Sequence, residues 1–144
     1  VILIRANLER AHLAKTDLSG ADLTEANLTE ANLHLAHLQG AKLIEANLEG
    51  CKLREANLGQ VDFTGANLGR ADLAQANLKQ ANLGGANVEQ ASLIQVNLQG
   101  ANLQALDNMT LLQLSKARSL RQARLDPLIY EQLAREYPHV CEED

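Results

Sequence analysis

The sequence predicts an all-β solenoid with a small α-helical cap at its C-terminal end. A five-residue pattern runs from Val1 to Leu103 without an insertion or a deletion. A period of five fits neither a continuous helix nor a continuous strand. After Leu103 the pattern gives way to segments with helix start and stop signals. We therefore divide the chain into a repeat region, residues 1–105, and a C-terminal cap and tail, residues 106–144.

Each five-residue unit consists of a small first residue, a second residue that is usually Asn or Asp, a Leu at the third place and two free positions. Twenty-one consecutive units begin between Val1 and Ala101. The first place is Ala in sixteen units, the second is Asn or Asp in fifteen, and the third is Leu in nineteen. Phe63 and Val88 are the exceptions at the third place. Only the first three places are therefore constrained.

The constrained places define a buried face only if each unit ends in a corner. On an α-helix, five residues advance about 140° beyond a full turn, so the leucines would wind around the axis. On a flat strand an odd period would send successive leucines to opposite faces. A short extended piece followed by a corner instead points the first and third places the same way. That arrangement is typical of repeat solenoids, in which each unit buries its apolar side against its neighbours.

Individual units resemble the A(D/N)LXX motif of the pentapeptide-repeat family. Ala-Asp-Leu-Thr-Glu at 21–25, Ala-Asn-Leu-Thr-Glu at 26–30 and Ala-Asn-Leu-Lys-Gln at 76–80 carry the likeness. The resemblance implies a right-handed quadrilateral β-helix in which four units form one 20-residue coil. Residues 1–105 would then make about five coils and a rod roughly 25 Å long. Asn7, Asn27, Asn47, Asn67 and Asn87 would stack as one ladder.

The glycines and the second-place Asn and Asp residues have structural explanations. Glycines at 20, 40, 50, 65, 85 and 100 all occupy the fifth place, where a corner with positive φ favours Gly. Short polar side chains at the second place can accept hydrogen bonds from neighbouring backbone. These residues therefore predict corners, and not a phosphate-binding loop.

Two short helices are predicted after the repeats. Asp107 or Asn108 can cap a helix that ends near Lys116, and Asp126 with Pro127 begins a second helix that Pro138 ends. Between them, residues 123–125 resemble a degenerate repeat unit. We expect the helices to cover the edge of the last coil. The alternative, which the resemblance implies, is a C-terminal dimerisation helix.

The N-terminal end has no such cover. Val1, Ile2, Leu3 and Ile4 begin the first coil at once, so apolar side chains and strand edges are predicted to be open there. The occupants we consider are a preceding segment of the chain and a second copy packed end to end. A second candidate surface is the lateral face that Ile4, Thr24, Ile44 and Thr64 would form if coils repeat every twenty residues; ordinary strand propensity explains that column equally well.

Charge bears on the partners that the resemblance suggests. Some pentapeptide-repeat proteins resemble duplex DNA and bind type II topoisomerases such as gyrase. Residues 1–105 contain eleven acidic and eight basic residues, a net charge of −3 out of −5 for the whole chain. DNA carries one negative charge per about 1.7 Å of axis, so the repeats fall far short. Nucleic-acid binding is not expected either, because no basic patch with aromatic residues is present.

The sequence predicts no catalytic, cofactor-binding or metal-binding site. His12, His34 and His37 occupy outward places without a Cys or Asp placed to complete a metal site, so we predict neither a metal nor any cofactor. The narrow Ala and Leu interior predicts no small-molecule substrate and no catalytic residues. The longest apolar run, residues 1–4, is too short to span a membrane. Cys51, at an inward place, and Cys141 predict no disulfide, so we expect a reducing, cytoplasmic location.

The sequence thus indicates a non-enzymatic structural or protein-interaction module. Its partner is an unidentified protein, or a second copy that associates through the N-terminal edge. The alternative function is DNA mimicry directed at a topoisomerase.

Overall fold

A computed structural model describes residues 1–142 of the chain; residues 143–144, the end of the predicted tail, lie outside the described part. Parallel bridges join each second-place residue to the residue twenty positions later, from Ile2 and Asp22 to Asn87 and Asp107. Four units therefore complete one coil, and the units form four flat sides. The predicted right-handed quadrilateral β-helix with a small helical cap is confirmed.

Every corner has the same backbone conformation. The first-place N–H donates to the C=O three residues earlier, as from Ala6 to Leu3 at 3.0 Å. The fifth-place residue has positive φ, for example +70° at Gly20 and +73° at Gly40. The predicted role of the fifth-place glycines is confirmed. Most corners nevertheless lack Gly, and residues such as Leu35 (φ +59°) adopt the left-handed conformation at a cost of about 1 kcal/mol each.

The second-place Asn and Asp residues support these corners. In all fifteen units the side-chain Oδ1 accepts the backbone N–H two residues later, at 3.0–3.2 Å. Each such bond holds the start of a corner to the strand before it. The prediction from the sequence is confirmed. Ser92 is an exception, because its Oγ is buried and has no partner among the described residues.

The Asn column also forms side-chain bonds between coils. The bridges stack all five residues from Asn7 to Asn87. Among them, Nδ2 of Asn67 donates to Asn47 at 3.3 Å, and Nδ2 of Asn87 donates to Asn67 at 3.1 Å. Nδ2 of Asn108 adds a third bond, to Asn87 at 3.0 Å. The column is therefore a partial ladder, with its bonds concentrated in the later coils.

The core is a continuous stack of first-place and third-place side chains. From Ala21 to Leu83 these side chains are at most 1% exposed, and Phe63 fits at 0%. Cys51 is buried among them, and burial raises the pKa of its thiol to about 12. An inert, protonated thiol follows, as expected for a small core residue.

The sixth coil is interrupted by α1, Leu111–Ser115. The coil resumes with bridges from Asn97 to Ser119 and from Asn102 to Arg124, two residues longer than the regular spacing. The interpretation of residues 123–125 as a repeat unit is confirmed. The division of the chain at residue 105 stays a prediction.

The cap of α1 differs from the predicted one. Thr110 is the N-cap, in a capping box with Gln113, whereas Asp107 continues the coil opposite Asn87 and Asn108 has φ +58°. The expected Asp107 or Asn108 cap is therefore wrong, because both residues still belong to the repeat. The signal for the true cap was present as Thr-x-x-Gln at 110–113.

The second helix, α2, runs Pro127–Glu136, and a 3₁₀ helix follows at Pro138–Val140. Asp126 precedes α2 as predicted but makes no side-chain cap bond; its carboxylate accepts the N–H of Ala105 at 3.1 Å instead. Leu114 of α1 and Leu133 of α2 are both 0% exposed and join the core of the coils. The helices thus close the C-terminal end.

Candidate interaction surfaces

The N-terminal edge is the most open apolar surface of the rod. Val1 and Ile2 are each 79% exposed and Ile4 is 49% exposed, while Leu3 is half-buried. The first-coil leucines at 8 and 13 are also half-buried, whereas the equivalent places one coil later are 0% exposed. The first coil therefore leaves one side of its core uncovered.

Backbone groups at this edge are also unpaired. In later coils the second-place N–H donates to the preceding coil, as from Asp22 to Val1 at 2.9 Å. The second-place and fourth-place C=O groups accept from it, as Asp22 does from Leu3 at 2.7 Å and Thr24 does from Arg5 at 2.9 Å. In the first coil the equivalent groups have no backbone partner among the described residues: the N–H and C=O of Ile2, Asn7, His12 and Asp17, and the C=O of Ile4, Glu9, Ala14 and Ser19.

Basic residues occupy three of the four corners of the first coil. Arg5 bonds Glu25 at 2.7 Å and Arg10 bonds Glu30 at 3.0 Å, each one coil along the rod. The side chains of these two arginines remain 76% and 73% exposed. Lys15 occupies the third corner, where Leu35 follows in the next coil. The open edge is consequently apolar inside and positively charged at its corners.

The lateral face forms a column, as the twenty-residue repeat requires. Ile44 and Thr24 are half-buried, and Thr64 is exposed. Oγ1 of Thr24 donates to Asp22 at 2.6 Å, and Thr64 bonds Asp62 in the same way. Both threonine hydroxyls are thus used within the side. A binding role for Ile4, Thr24, Ile44 and Thr64 stays a prediction.

The structure also assigns the charges of the repeats to four sides. The sides that begin with the units at residues 1 and 6 each contain four acidic and two basic residues. The side that begins at residue 11 contains two acidic and three basic residues, and the side that begins at residue 16 contains one acidic and one basic residue. Two adjacent sides therefore carry a net charge of −4, and the other two carry +1. This separation was not evident from the sequence, which placed opposite charges near one another.

The three histidines that the sequence analysis considered as metal ligands do not form a cluster with other ligand side chains of the described residues. Nδ1 of His34 lies 3.1 Å from the C=O of Arg54, while His12 and His37 are exposed on different sides. Within residues 1–142 no group of three or more His, Cys, Asp or Glu side chains could hold a metal ion. No helix in that range is long and apolar enough to cross a membrane.

One apolar depression was missed by the sequence reasoning. It lies where α1 replaces the third side of the sixth coil, has a volume of about 230 Å³, and has Ile94 (51% exposed) and Leu112 (55% exposed) in its wall. Lys116 lies at its margin. This depression is formed only by the contact between a coil and α1, so the five-residue periodicity of the sequence could not predict it.

Comparison with known proteins places this geometry in a family. The model of pentapeptide repeats matches in eight copies, over residues 2–40, 31–70 and 71–105. No curated protein matches the chain.

Several solved structures are similar. A pentapeptide repeat protein from the Arabidopsis thaliana thylakoid lumen is 30% identical, with 60% of this chain and 64% of that chain covered and a TM-score of 0.36. The pentapeptide repeat protein Rfr23 from the cyanobacterium Cyanothece 51142 is 33% identical, with 70% and 60% covered and a TM-score of 0.37.

A trypsin-treated variant of QnrB1, a plasmid-mediated fluoroquinolone resistance protein, is 17% identical, with 90% and 71% covered and a TM-score of 0.52. That likeness shows the fold alone. The chain spans about 64% of the length of the Arabidopsis protein. With the profile match over residues 2–105 and the four-sided coils, the chain belongs to the pentapeptide repeat family.

Proposed function

We propose that the chain is a non-enzymatic protein-interaction module that binds a protein partner through its N-terminal edge. The observation that carries this proposal is the coincidence of exposed apolar side chains and unpaired backbone groups on one edge. Exposed strand edges pair with other chains unless they are short, charged or covered. Here the opposite end is covered by α1 and α2, so the two ends differ in their capacity to bind.

The proposal is tested by capture of partners from an extract of the native organism, followed by cross-linking and identification. The bait is the full chain, compared with the variant Ile2→Lys/Ile4→Lys, which places two charges on the edge without touching the buried core. The matched control is Ile94→Lys, a lateral isoleucine whose exposed fraction, 51%, is close to the 49% of Ile4. Proteins retained by the wild type and the control but lost by the edge variant support the proposal. Identical retention by all three baits refutes it.

An alternative is DNA mimicry directed at a type II topoisomerase, which the family resemblance suggests. It is favoured by the concentration of acidic residues on two adjacent sides, with a net charge of −4. Over a rod of roughly 25 Å, however, duplex DNA would present about 15 phosphate charges. The charge density is therefore several-fold too low, which is why we rank this function second.

The alternative is checked by a gyrase supercoiling assay together with the solution mass of the protein. Inhibition at submicromolar concentration by a dimer joined at its C-terminal helices would favour mimicry. A monomer that leaves supercoiling unchanged would exclude it. The proposed cytoplasmic location is addressed separately by fractionation of native cells.

A further inference from the structure

We infer that the C-terminal end of the rod binds an extended acidic segment of a partner protein, in which one apolar residue stands between two acidic residues. The site is a cleft, here called the C-terminal cleft, between residues 117–125 of the last coil and residues 139–142 after α2. It is separate from the N-terminal edge and goes beyond the proposed function. Three properties carry the inference: unpaired N–H groups, a cavity with apolar walls, and uncompensated positive charge.

The last segment on the side that begins at residue 16, residues 117–122, departs from the repeat by a bulge. The N–H of Arg118 donates to the C=O of Val96 at 2.9 Å, as a second-place N–H does. The C=O of Ser119 accepts from Leu98 at 2.9 Å, as a second-place C=O does. Arg118 and Ser119 thus share the place opposite Asn97. A bulge redirects side chains at the edge of a sheet, and this one adds an exposed arginine to the segment.

Two backbone N–H groups of this segment are unpaired. One coil earlier on the same side, the N–H groups of Leu98 and Gly100 each donate at 2.9 Å to a C=O group of the last segment. The equivalent N–H groups of the last segment belong to Leu120 and Gln122, and within residues 1–142 neither has a backbone partner. The helices therefore cover the core of this end but leave part of a strand edge open, and open edges pair with other chains.

The spacing of these donors selects a peptide backbone over a single anion. N–H groups two residues apart on an extended segment are separated by roughly 7 Å, which is too far for both to bond one carboxylate or phosphate group. Alternate C=O groups of an extended peptide have the same spacing. Within the rod, the C=O groups of Ser119 and Arg121 accept from the coil below in this way. An added segment can thus pair with Leu120 and Gln122 by strand addition.

The cavity beside this edge accepts an apolar side chain. It has two parts, of about 190 Å³ and about 110 Å³, which share Leu120, Arg121 and Val140 in their walls. Ala123 and Leu125 add apolar surface to the larger part. An apolar cavity of about 150 Å³ can hold a benzene molecule, so the larger part has room for a Leu or Val side chain. A phosphate backbone has no such side chain to place there.

The rim of the cleft carries uncompensated positive charge. Arg118 and Arg121 line it, are exposed, and form no ion pair within residues 1–142. The coil below supplies no acidic neighbour, because Gln99 lies under Arg121. Glu142 is the acidic residue of the described wall. The arginines of the earlier coils are paired with an acidic residue of a neighbouring coil: Arg5, Arg10, Arg54 and Arg70.

Strand alternation sets the order of residues in the partner. In an extended segment that pairs with Leu120 and Gln122, the side chain over Leu120 enters the cavity and both of its neighbours face outward. Adjacent strands are about 4.8 Å apart, so an acidic neighbour on one side lies within ion-pair reach of Arg121. The neighbour on the other side lies over the bulge, near Arg118. An acidic, apolar, acidic order therefore satisfies the edge, the cavity and the rim together.

The test uses the full chain and short capped peptides. Acetyl-Ala-Glu-Leu-Glu-Gly-amide is titrated into isotope-labelled protein at low salt, and binding and amide hydrogen exchange are followed by NMR. We expect at least tenfold slower exchange at Leu120 and Gln122 on saturation, with Leu98 and Gly100 unchanged as internal references. The charge control has both Glu residues replaced by Lys, and the cavity control has Leu replaced by Asn. Each control peptide should bind at least tenfold more weakly.

Protein variants test the rim. Arg118→Gln/Arg121→Gln should weaken binding of the acidic peptide at least tenfold, because the charge that faces its carboxylates is removed. The matched control is Arg124→Gln, since Arg124 is also exposed and without an ion pair in the described chain but does not line the cleft. We expect less than a twofold change there. Ile2→Lys/Ile4→Lys should leave peptide binding unchanged, so this inference and the proposed function can fail independently.

Each outcome decides the inference. Protection of Leu120 and Gln122 that is lost with both control peptides and with the double arginine variant supports it. No binding at millimolar peptide, or equal binding by the acidic peptide and either control, would overturn it. Displacement of the peptide by inorganic phosphate, beyond that by chloride at equal ionic strength, would show an anion site in its place. Protection in the free chain that disappears on removal of residues 142–144 would show that the chain's own tail is the occupant, and would likewise overturn the inference.

Discussion

Replacement of Asn67 by Ala tests whether the Asn ladder stabilises the rod beyond the corner bonds. Oδ1 of Asn67 accepts the N–H of Gly69 at 3.0 Å and Nδ2 of Asn87 at 3.1 Å, and its Nδ2 donates to Asn47 at 3.3 Å. Three hydrogen bonds are lost, each contributing about 0.5–1.5 kcal/mol net. We expect Asn67→Ala to lower the free energy of unfolding by about 3 kcal/mol.

The matched control is Asn97→Ala. Asn97 has the same place in the repeat and is likewise half-buried, but its only side-chain bond among the described residues is from the N–H of Gln99, at 3.0 Å. We expect a loss of about 1 kcal/mol. A third variant, Asn67→Asp, keeps the accepting oxygens and removes only the donated bond, so its loss should lie nearer to that of Asn97→Ala.

The assay is equilibrium urea unfolding at 25 °C followed by far-UV circular dichroism, with the slope of the transition compared among variants. Equal slopes are needed because repeat proteins can unfold in parts. If Asn67→Ala and Asn97→Ala lower the stability by the same amount at equal slopes, the ladder bonds contribute nothing net. The hydrogen-bond reasoning about the column would then be refuted.

Three further predictions concern corners and charge. Gly40→Ala should lower the free energy of urea unfolding by about 1 kcal/mol, because φ is +73° there. No atom lies within 4 Å of the added Cβ, so backbone strain alone causes this loss. Gln75→Gly, at a corner with φ +62°, should leave the free energy of unfolding unchanged or raise it by about 0.5 kcal/mol. Ser92→Asn should raise the melting temperature, because an Asn there can accept the N–H of Ile94 as the other fifteen do, contributing about 1 kcal/mol; a lower melting temperature would contradict this. Hydrogen bonds from Thr24 hold the pKa of Asp22 below its usual range. The stability that the Asp22 carboxylate contributes is therefore present above the unfolded pKa near 4 and is lost as pH falls through the folded pKa. Asp22→Asn should show a smaller loss of melting temperature between pH 5 and pH 3 than the wild type.

The sequence predicted the coils well because every unit repeats the same local solution. Ala and Leu two residues apart define the inside, and the bonded second-place side chain and positive-φ fifth place define the corner. These interactions span at most five residues, so a single unit contains all the information. The twenty-residue coil length was different. It came from the family resemblance, since nothing within one unit sets four sides.

The C-terminal end was harder to predict because its hydrogen bonds join residues that are far apart in sequence. Nε2 of Gln113 donates to the C=O groups of Val88 and Ala91, at 2.8 and 3.0 Å. In the interior of the rod a first-place C=O accepts a backbone N–H of the next coil, as that of Ala71 does from Ser92, but α1 has displaced this donor at Ala91. Oε1 of Gln113 meanwhile accepts the N–H of Thr110 at 2.7 Å. One side chain thus caps both a helix, which Thr-x-x-Gln at 110–113 indicates, and the exposed edge of a coil, which no pattern within residues 106–116 reveals.

The difference between the ends limits the assemblies that the edge can form. Extension of a β-solenoid into a filament needs an open edge at both ends of every unit, because each new interface must leave another edge free. This chain offers one open edge at Val1–Ile4 and one end covered by α1 and α2. Two copies that meet by their open edges therefore leave only covered ends, so no third copy can join them. Self-association through this edge should stop at a dimer, measurable as a mass that does not rise beyond two copies as the protein concentration increases.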